Sequence, residues 1–517
     1  ATLDHFMAAG PASDSGEFPP TLWRVQLSKS SSGKSKSKSV TYSSDIISLV
    51  GSDIAEGDEG GQFSTGNRGG KDTFLGVSGQ VNIAYGEIAG AMSGGARGGD
   101  DKFVGGDDAL NLFIGDASSL SGKGTRGGDD VFLGGDALGN DGYLTLNVAF
   151  GDASGYGAPT PPDVVEPTVF SAAEVTPAGL LDSLIGIGGS LLAGITEGGL
   201  TDGSRGGDDK LYGGDVGADG YAVINLLVGD ANFIGGSVAP ASGCKDSDDQ
   251  RTTEAGDDRL YGGSVLDDGY AINLMAGDAF VIDAGGEGGD DRLVGGDGNL
   301  DGYAGMGPDT APTDVEESTG PAIALNLLVG DAVLLNGEAG DDKVQGGDGA
   351  LNLLLGDGYA AGPEATQGDD VLISGEGSLF LMLGDSIDGY GSGIESIATT
   401  EASETEGGED RFVIEHNSFG VIVDFDATEG DRIDLSRLLG TDDDDCDDDG
   451  APLIGDLTAL LQTIITDEGA GLPFGLGGAV LDFSLADPSY GLGSGAVVVA
   501  GVTAEDLEAN LWQVFIL

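Results

Sequence analysis

Histidine, cysteine, tryptophan and basic residues are all scarce in this chain. Its 517 residues hold two histidines, two cysteines, two tryptophans and 21 lysines and arginines. Each shortage removes a class of function. With only His5 and His416, an HExxH zinc site cannot be written. Cys244 and Cys446 give no disulfide framework and no Cys-x-x-Cys site; they pair with each other, pair between chains, or stay free. Few cations against 89 acids leave no basic surface for nucleic acid. No Gly-x-Ser-x-Gly nucleophile motif occurs. The longest apolar stretch, AGLLDSLIGIGGSLLAGI from Ala178, is broken by Asp182 and several glycines and makes a poor membrane span. The first residues, ATLDHFMAAGPASDSGEFPP, lack the basic start and apolar core of a cleaved signal peptide.

Glycine and acid are what the chain has in excess. There are 98 glycines, no Gly-X-Y period and only 16 prolines, which excludes collagen. A hydrophobic content of 39% is too high for a disordered acidic tail. The net charge of −68 makes a folded chain repel itself unless cations sit among its carboxylates. Two readings follow: many bound metal ions, or a salt-tolerant acidic surface. The fixed placement of acids beside glycines favours the first.

That placement is a repeat. An Asp precedes an x-apolar-x-Gly element at Asp72, Asp101, Asp130, Asp209, Asp258, Asp291, Asp342 and Asp370, with a degenerate ninth at Asp410. The shortest spacings are 28 and 29 residues; longer gaps are insertions, expected to lie between coils and to project as loops. A second row reads Asn82, Asn111, Asn147, Asn225, Asn273, Asn326 and Asn352, each opening a short apolar run; Phe380 replaces Asn in the eighth coil. A third row follows the next Gly-Asp, as in ANFIG at Ala231, AFVID at Ala279 and AVLLN at Ala332. Strands this short cannot each bury a core, but stacked coils form a continuous one. The fold predicted is all-β: a parallel β-solenoid of about nine coils, with up to three strands per coil, plus a small C-terminal cap with short helices. A stacked Asn or Asp column can hydrogen-bond along its axis.

The corners carry the chemistry. GGDDKLYGGD from Gly206 to Asp215 fits the loose parallel β-roll pattern G-G-x-G-x-D-x-U-x, in which the apolar U points inward. The Asp before it and the carbonyls of the glycine turn face a matching turn one coil away. Oxygen-only ligands in a flexible glycine turn suit Ca²⁺, which takes 6–8 oxygens, and nothing favours zinc. In these residues the chain resembles the repeats-in-toxin (RTX) calcium-binding proteins, over roughly residues 69–434 with long interruptions. The resemblance implies multiple Ca²⁺ ions held by Asp101, Asp130, Asp209, Asp258, Asp291, Asp342 and Asp370. The following-turn acids Asp107, Asp136, Asp215, Asp297 and Asp348 are second ligands in that reading. The chain departs from the family in its 28–29-residue coil and in the Asn row, which stands where a ligand Asp is expected. On that second face Asp116, Asp152, Asp230, Asp278 and Asp331 either bind calcium or cap corners.

The flanks extend the resemblance. GVIVDFDATEGDRIDLSRLLG from Gly420 looks like the element that closes RTX rolls, and the apolar end GAVVVAGVTAEDLEANLWQVFIL resembles that of type I secretion substrates. This implies one-step export by type I secretion machinery to the outside or surface of a Gram-negative bacterium. The segment from Asp456 reads as an amphipathic helix, with Leu457, Leu460, Leu461, Ile464 and Ile465 on one face and Asp456 as N-cap. Lys29, Lys34, Lys36 and Lys38 form either a flexible linker or an arm for an acidic surface. TDDDDCDDDG from Thr441 reads as a solvated acidic loop. The organisation expected is an arm with lead-in strands (1–65), a solenoid (66–425) with insertions at 153–204, 232–254 and 303–322, and a capping and secretion region (426–517). The function expected is non-enzymatic: a secreted, calcium-binding structural protein that self-assembles into a filament, surface layer or matrix. The alternatives are a calcium-dependent adhesin for cell-surface glycans and a polysaccharide-active enzyme.

Overall fold

One coil shows the construction. Lys102–Val104, Leu110–Ile114 and Ala117–Ser121 are three strands separated by the turn at residues 105–109 and the tight corner Gly115-Asp116. In a computed structural model each strand pairs in parallel with its counterpart one coil away: Phe103 with Phe132, Asn111 with Asn147, Leu120 with Leu200. Repetition builds a three-sided parallel β-solenoid with sheets of 13, 13 and 8 strands. The structure describes residues 42–517 except 43, 51–53, 59–62, 140–143, 155–198, 237–251, 301–321, 364, 389–406, 440–453, 467–477, 487–489 and 491, together with the backbone of 23–26. The lysine arm, Cys244, Cys446, the apolar stretch from Ala178 and the acidic loop from Thr441 lie outside the described residues.

The inward positions follow the period of two expected of strands. On the first face they are Phe74, Phe103, Phe132, Leu211, Leu260, Leu293, Val344, Leu372 and Phe412, one per coil, so nine coils stack here. The second face sets Ala84, Phe113, Ala149, Leu227, Met275, Leu328, Leu354, Met382 and Ile422 against them. The third face has a separate apolar cluster that includes Met92, Leu120, Leu200, Ile234, Ile282 and Leu335. The third row of the repeat is thus a third sheet.

The insertions do not all stand between coils. Ala153 and Gly199–Thr201 occupy successive positions of one third-face strand, both in register with neighbouring coils, so the segment between them interrupts a coil side. The insertion before Ala322 opens instead from the turn joining the first and second faces, where Asn299 bridges to Ala322. A parallel coil tolerates extra chain wherever the strands on either side can recover register.

At each end of the solenoid one sheet finishes on antiparallel strands. Trp23–Gln26 adds an antiparallel strand beside Asp45–Ser48, which precedes the first repeat on the first sheet. At the other end Ala496–Ala500 extends the second sheet, and Gly478–Asp482 and Ile465–Thr466 finish it antiparallel. Such strands stop a parallel stack from offering a matching edge. The helix α1, Ile454–Ile464, buries Leu457, Leu460, Leu461 and Ile464 in the same core. It starts two residues before Asp456, which therefore lies in its first turn rather than capping it. The chain's last residues are structural too: Val514 and Phe515 are buried, and Phe515–Ile516 pairs with Ile433–Asp434. Among the described residues no helix is long and apolar enough to cross a membrane.

Candidate metal centre

Two columns of carboxylates run through the interior. The first holds the Asp of each GGDD element. Its period-two relation to the inward residue, Asp101 to Phe103 or Asp209 to Leu211, turns it into the core. Asp72, Asp101, Asp130, Asp209, Asp258, Asp291, Asp342, Asp370 and Asp410 are each no more than 3% exposed. The column is strung together by backbone. Asp101 N–H donates to Asp130 Oδ1 at 2.6 Å, Asp209 N–H to Asp258 Oδ1 at 2.6 Å, and Asp258 N–H to Asp291 Oδ1 at 2.7 Å. This uses one oxygen of each carboxylate. The other, Oδ2, meets no hydrogen-bond donor in Asp101, Asp130, Asp209, Asp258, Asp291, Asp342, Asp370 or Asp410.

The second column is the Gly-Asp corner between the second and third faces: Glu87, Asp116, Asp152, Asp230, Asp278, Asp331 and Asp357, all fully buried. Each reaches across the interior to a glycine amide of the opposite corner. Gly128 N–H donates to Asp116 Oδ2 at 3.0 Å, Gly207 to Asp152 at 2.9 Å, and Gly256 to Asp230 at 2.8 Å. Again one oxygen of Glu87, Asp116, Asp152, Asp230, Asp331 and Asp357 is left without a donor.

The glycines make room for this arrangement. A Cβ on Gly115 would land on Asp130 Oδ2 and on the Gly151 carbonyl; one on Gly98 would land on the Asp116 carboxylate. Each column's glycine is the space into which the other column's acid projects. This is the physical reason for the recurring Gly-Asp pair.

The two columns converge. Ligand oxygens of Asp116, Asp130 and Asp152 lie within 4.8 Å of one another, as do those of Asp152, Asp209 and Asp230, and of Asp230, Asp258 and Asp278. Asp152 and Asp230 each belong to two groups, so the sites form a row with shared carboxylates. Such clusters can hold a metal ion. Burial, reinforced by neighbouring carboxylates, pushes Asp116, Asp152, Asp209, Asp230, Asp258 and Asp278 well above the usual carboxylate range. Burial raises Asp331 to about 7. Unneutralised charge here is costly, so the seam requires cations or protons.

The other expected ligands are elsewhere. Asp107, Asp136, Asp215, Asp297 and Asp348 line the corner between the first and second faces, half-buried or exposed. Their oxygens accept backbone amides one coil on: Asp136 N–H donates to Asp107 at 3.1 Å, Asp215 to Asp136 at 2.9 Å, and Asp348 to Asp297 at 2.9 Å. They form a surface ladder away from the buried columns. The partners of the GGDD acids are instead the Gly-Asp corner residues, whose role the sequence left open. A partial signal marks them: Asp116, Asp152, Asp230, Asp278 and Asp331 are each followed by Ala, as only Asp136 is among the surface acids.

The Asn row has a different role. Asn225 Oδ1 accepts from Gly214 N–H at 3.0 Å, and its Nδ2 donates to Gly214 O at 3.1 Å and to Asn273 Oδ1 at 2.8 Å. The same links run from Asn82 to Asn352, where Ser374 O takes the last donor. No protein-family model, characterised protein or solved structure matches this chain.

Proposed function

We propose that this protein is a secreted structural protein whose solenoid is completed by calcium and which self-associates outside the cell into a filament, surface layer or matrix. The observation that carries the calcium reading is the double column of buried carboxylates, most of them with an oxygen lacking a donor. With Asp58 and Asp385, which accept the Gly70 and Gly408 amides at 3.1 Å and 2.8 Å, the corner column also has nine acids, so one divalent cation per coil balances the charge. Hard oxygen donors in a glycine-lined seam suit Ca²⁺, which tolerates irregular geometry, better than Mg²⁺, which demands a tight octahedron. The resemblance to RTX repeats supports the same ion and export before folding. Where calcium is scarce the columns repel and the chain stays unfolded; where it is plentiful, binding energy becomes folding energy.

The test is electron microscopy and circular dichroism of the purified protein in calcium and in excess chelator. Ordered assemblies that dissolve on chelation, with loss of β signal, are expected. Folded monomers in calcium would remove the assembly half of the reading. A fold that keeps its β signal at pH 8 with no bound metal would remove the calcium half.

A further inference from the structure

The outer surface of the corner between the third and first faces carries a column of charge that changes sign halfway along the solenoid. Arg68, Arg97, Arg126 and Arg205 bridge in register from coil to coil. The next positions in the same column are Glu254, Glu287, Glu338 and Thr366. Adjacent coils are close enough to stack rings face to face, as Tyr212 and Tyr261 do at 4.7 Å. Four arginines at that spacing repel, as do three glutamates. Arg205 pairs with Glu254 where the sign changes. Among the described residues Arg68, Arg97 and Arg126 have no ion-pair partner.

The neighbouring outward positions keep the asymmetry. In each coil the column residue is followed three and five positions later by two more outward side chains, as in Arg97, Asp100 and Lys102. Taken together, the four N-terminal coils carry formal charges of +2, +1, 0 and +1 across this strip. Each of the following four carries −1, as in Glu287, Asp290 and Arg292. In a chain of net charge −68 a strip with a positive half is unexpected from composition.

We propose that this strip is a docking surface for a second copy of the chain, the two solenoids lying antiparallel about a two-fold axis between the Arg205 and Glu254 coils. That arrangement sets Arg126 against Glu287 and Arg97 against Glu338 of the other copy. A parallel arrangement sets like on like. An isologous contact requires a self-complementary surface, and a column that reverses sign at its midpoint is one. The inference deepens the self-association reading and rests on it. Eight coils and a strip about 15 Å wide cover on the order of 600 Å² per partner, at the small end of specific interfaces, so the contact is weak and salt-sensitive.

The test is sedimentation equilibrium of the full chain in calcium at low and high salt, with two charge-reversal variants. Wild type dimerises at low salt, and the dimer weakens at least tenfold at high salt. R97E/R126E sets acid against Glu338 and Glu287 of the other copy, and E287R/E338R sets arginine against Arg126 and Arg97; each is monomeric alone where wild type dimerises, with β signal intact. Mixed in equal amounts they form a heterodimer. Variants that associate like wild type, or a folded mixture that stays monomeric, would overturn the docking surface and leave self-association standing. Monomeric wild type under all conditions would overturn both.

Discussion

The asparagine ladder and the aspartate columns solve the same problem in opposite ways. Both are stacks of short polar side chains inside a solenoid, and both tie glycine turns together. An amide has two donors and two acceptor sites, so Asn225 satisfies itself, its turn and its neighbour, and needs nothing else. A carboxylate only accepts. Asp209 can receive the Asp130 amide and nothing further from the protein, and its second oxygen stays bare. Replacing one atom group therefore converts a closed structural ladder into a row that must import positive charge. The protein keeps the first kind on its second face and builds the second kind at the two corners that bound its third.

Chelation at pH 8 separates the two regions most strongly. Each buried, unneutralised carboxylate costs several kcal/mol, and two columns of them exceed the ~5–15 kcal/mol of a typical fold. Loss of most β signal on chelation, recovered on adding calcium, is the expected circular dichroism result. Next in size is the reversal of sign at Asp230, which belongs to two clusters. Asp230→Asn should destabilise the calcium-loaded protein by about 3 kcal/mol and lower its metal content, yet stabilise the metal-free protein by deleting a buried charge. Urea midpoints in calcium at pH 8, and in chelator between about pH 4 and 7 where the metal-free fold persists, read both arms. In contrast, Asn225→Asp should destabilise by about 2–3 kcal/mol in both conditions, because the new carboxylate cannot donate to Gly214 O or Asn273 Oδ1.

Proton concentration should act in opposite directions with and without metal. Asp331 and Asp431, a buried acid that extends the first column by accepting the Asp410 amide at 2.9 Å, are raised by burial to about 7, and their folded forms hold protons that an unfolded chain releases near pH 4. The metal-free fold is therefore most stable below about pH 4 and weakens as pH rises from there through about 7. In calcium, protons compete with the ion, and the same window shows stability gained as pH rises. Equal pH slopes in calcium and in chelator would remove the link between the columns and metal. The smallest effect belongs to the surface ladder. Asp136→Asn keeps an acceptor for the Asp215 amide and should change stability by less than about 1 kcal/mol, with calcium content unchanged. A lost ion there would restore Asp136 as a ligand.

Much of this was legible from residue order. The 28–29-residue period gave nine coils, because register fixes which residues stack. The Asn row and the third apolar row both appear as predicted strands. The pairing of acids was not legible, because Gly-Asp occurs at two corners and sequence spacing does not say which one turns inward. Asp107 and Asp116 both follow a glycine in the same coil, yet Asp107 lies at a surface turn and Asp116 is fully buried. The difference lies in what each carboxylate meets: Asp116 fills the space left at Gly98 and accepts the Gly128 amide, whereas Asp107 accepts the Asp136 amide at the surface. The placement of the Ala153 insertion within a coil side was hidden for a related reason: register recovers at Leu200, far along the chain but adjacent in the sheet.

The most direct measurement is one calcium titration of metal-free protein at pH 8, with bound metal counted by elemental analysis and folding followed by circular dichroism on the same samples. β signal and bound calcium are expected to rise together and to level off at about one ion per coil. A protein already fully folded before any cation is bound would contradict that coupling.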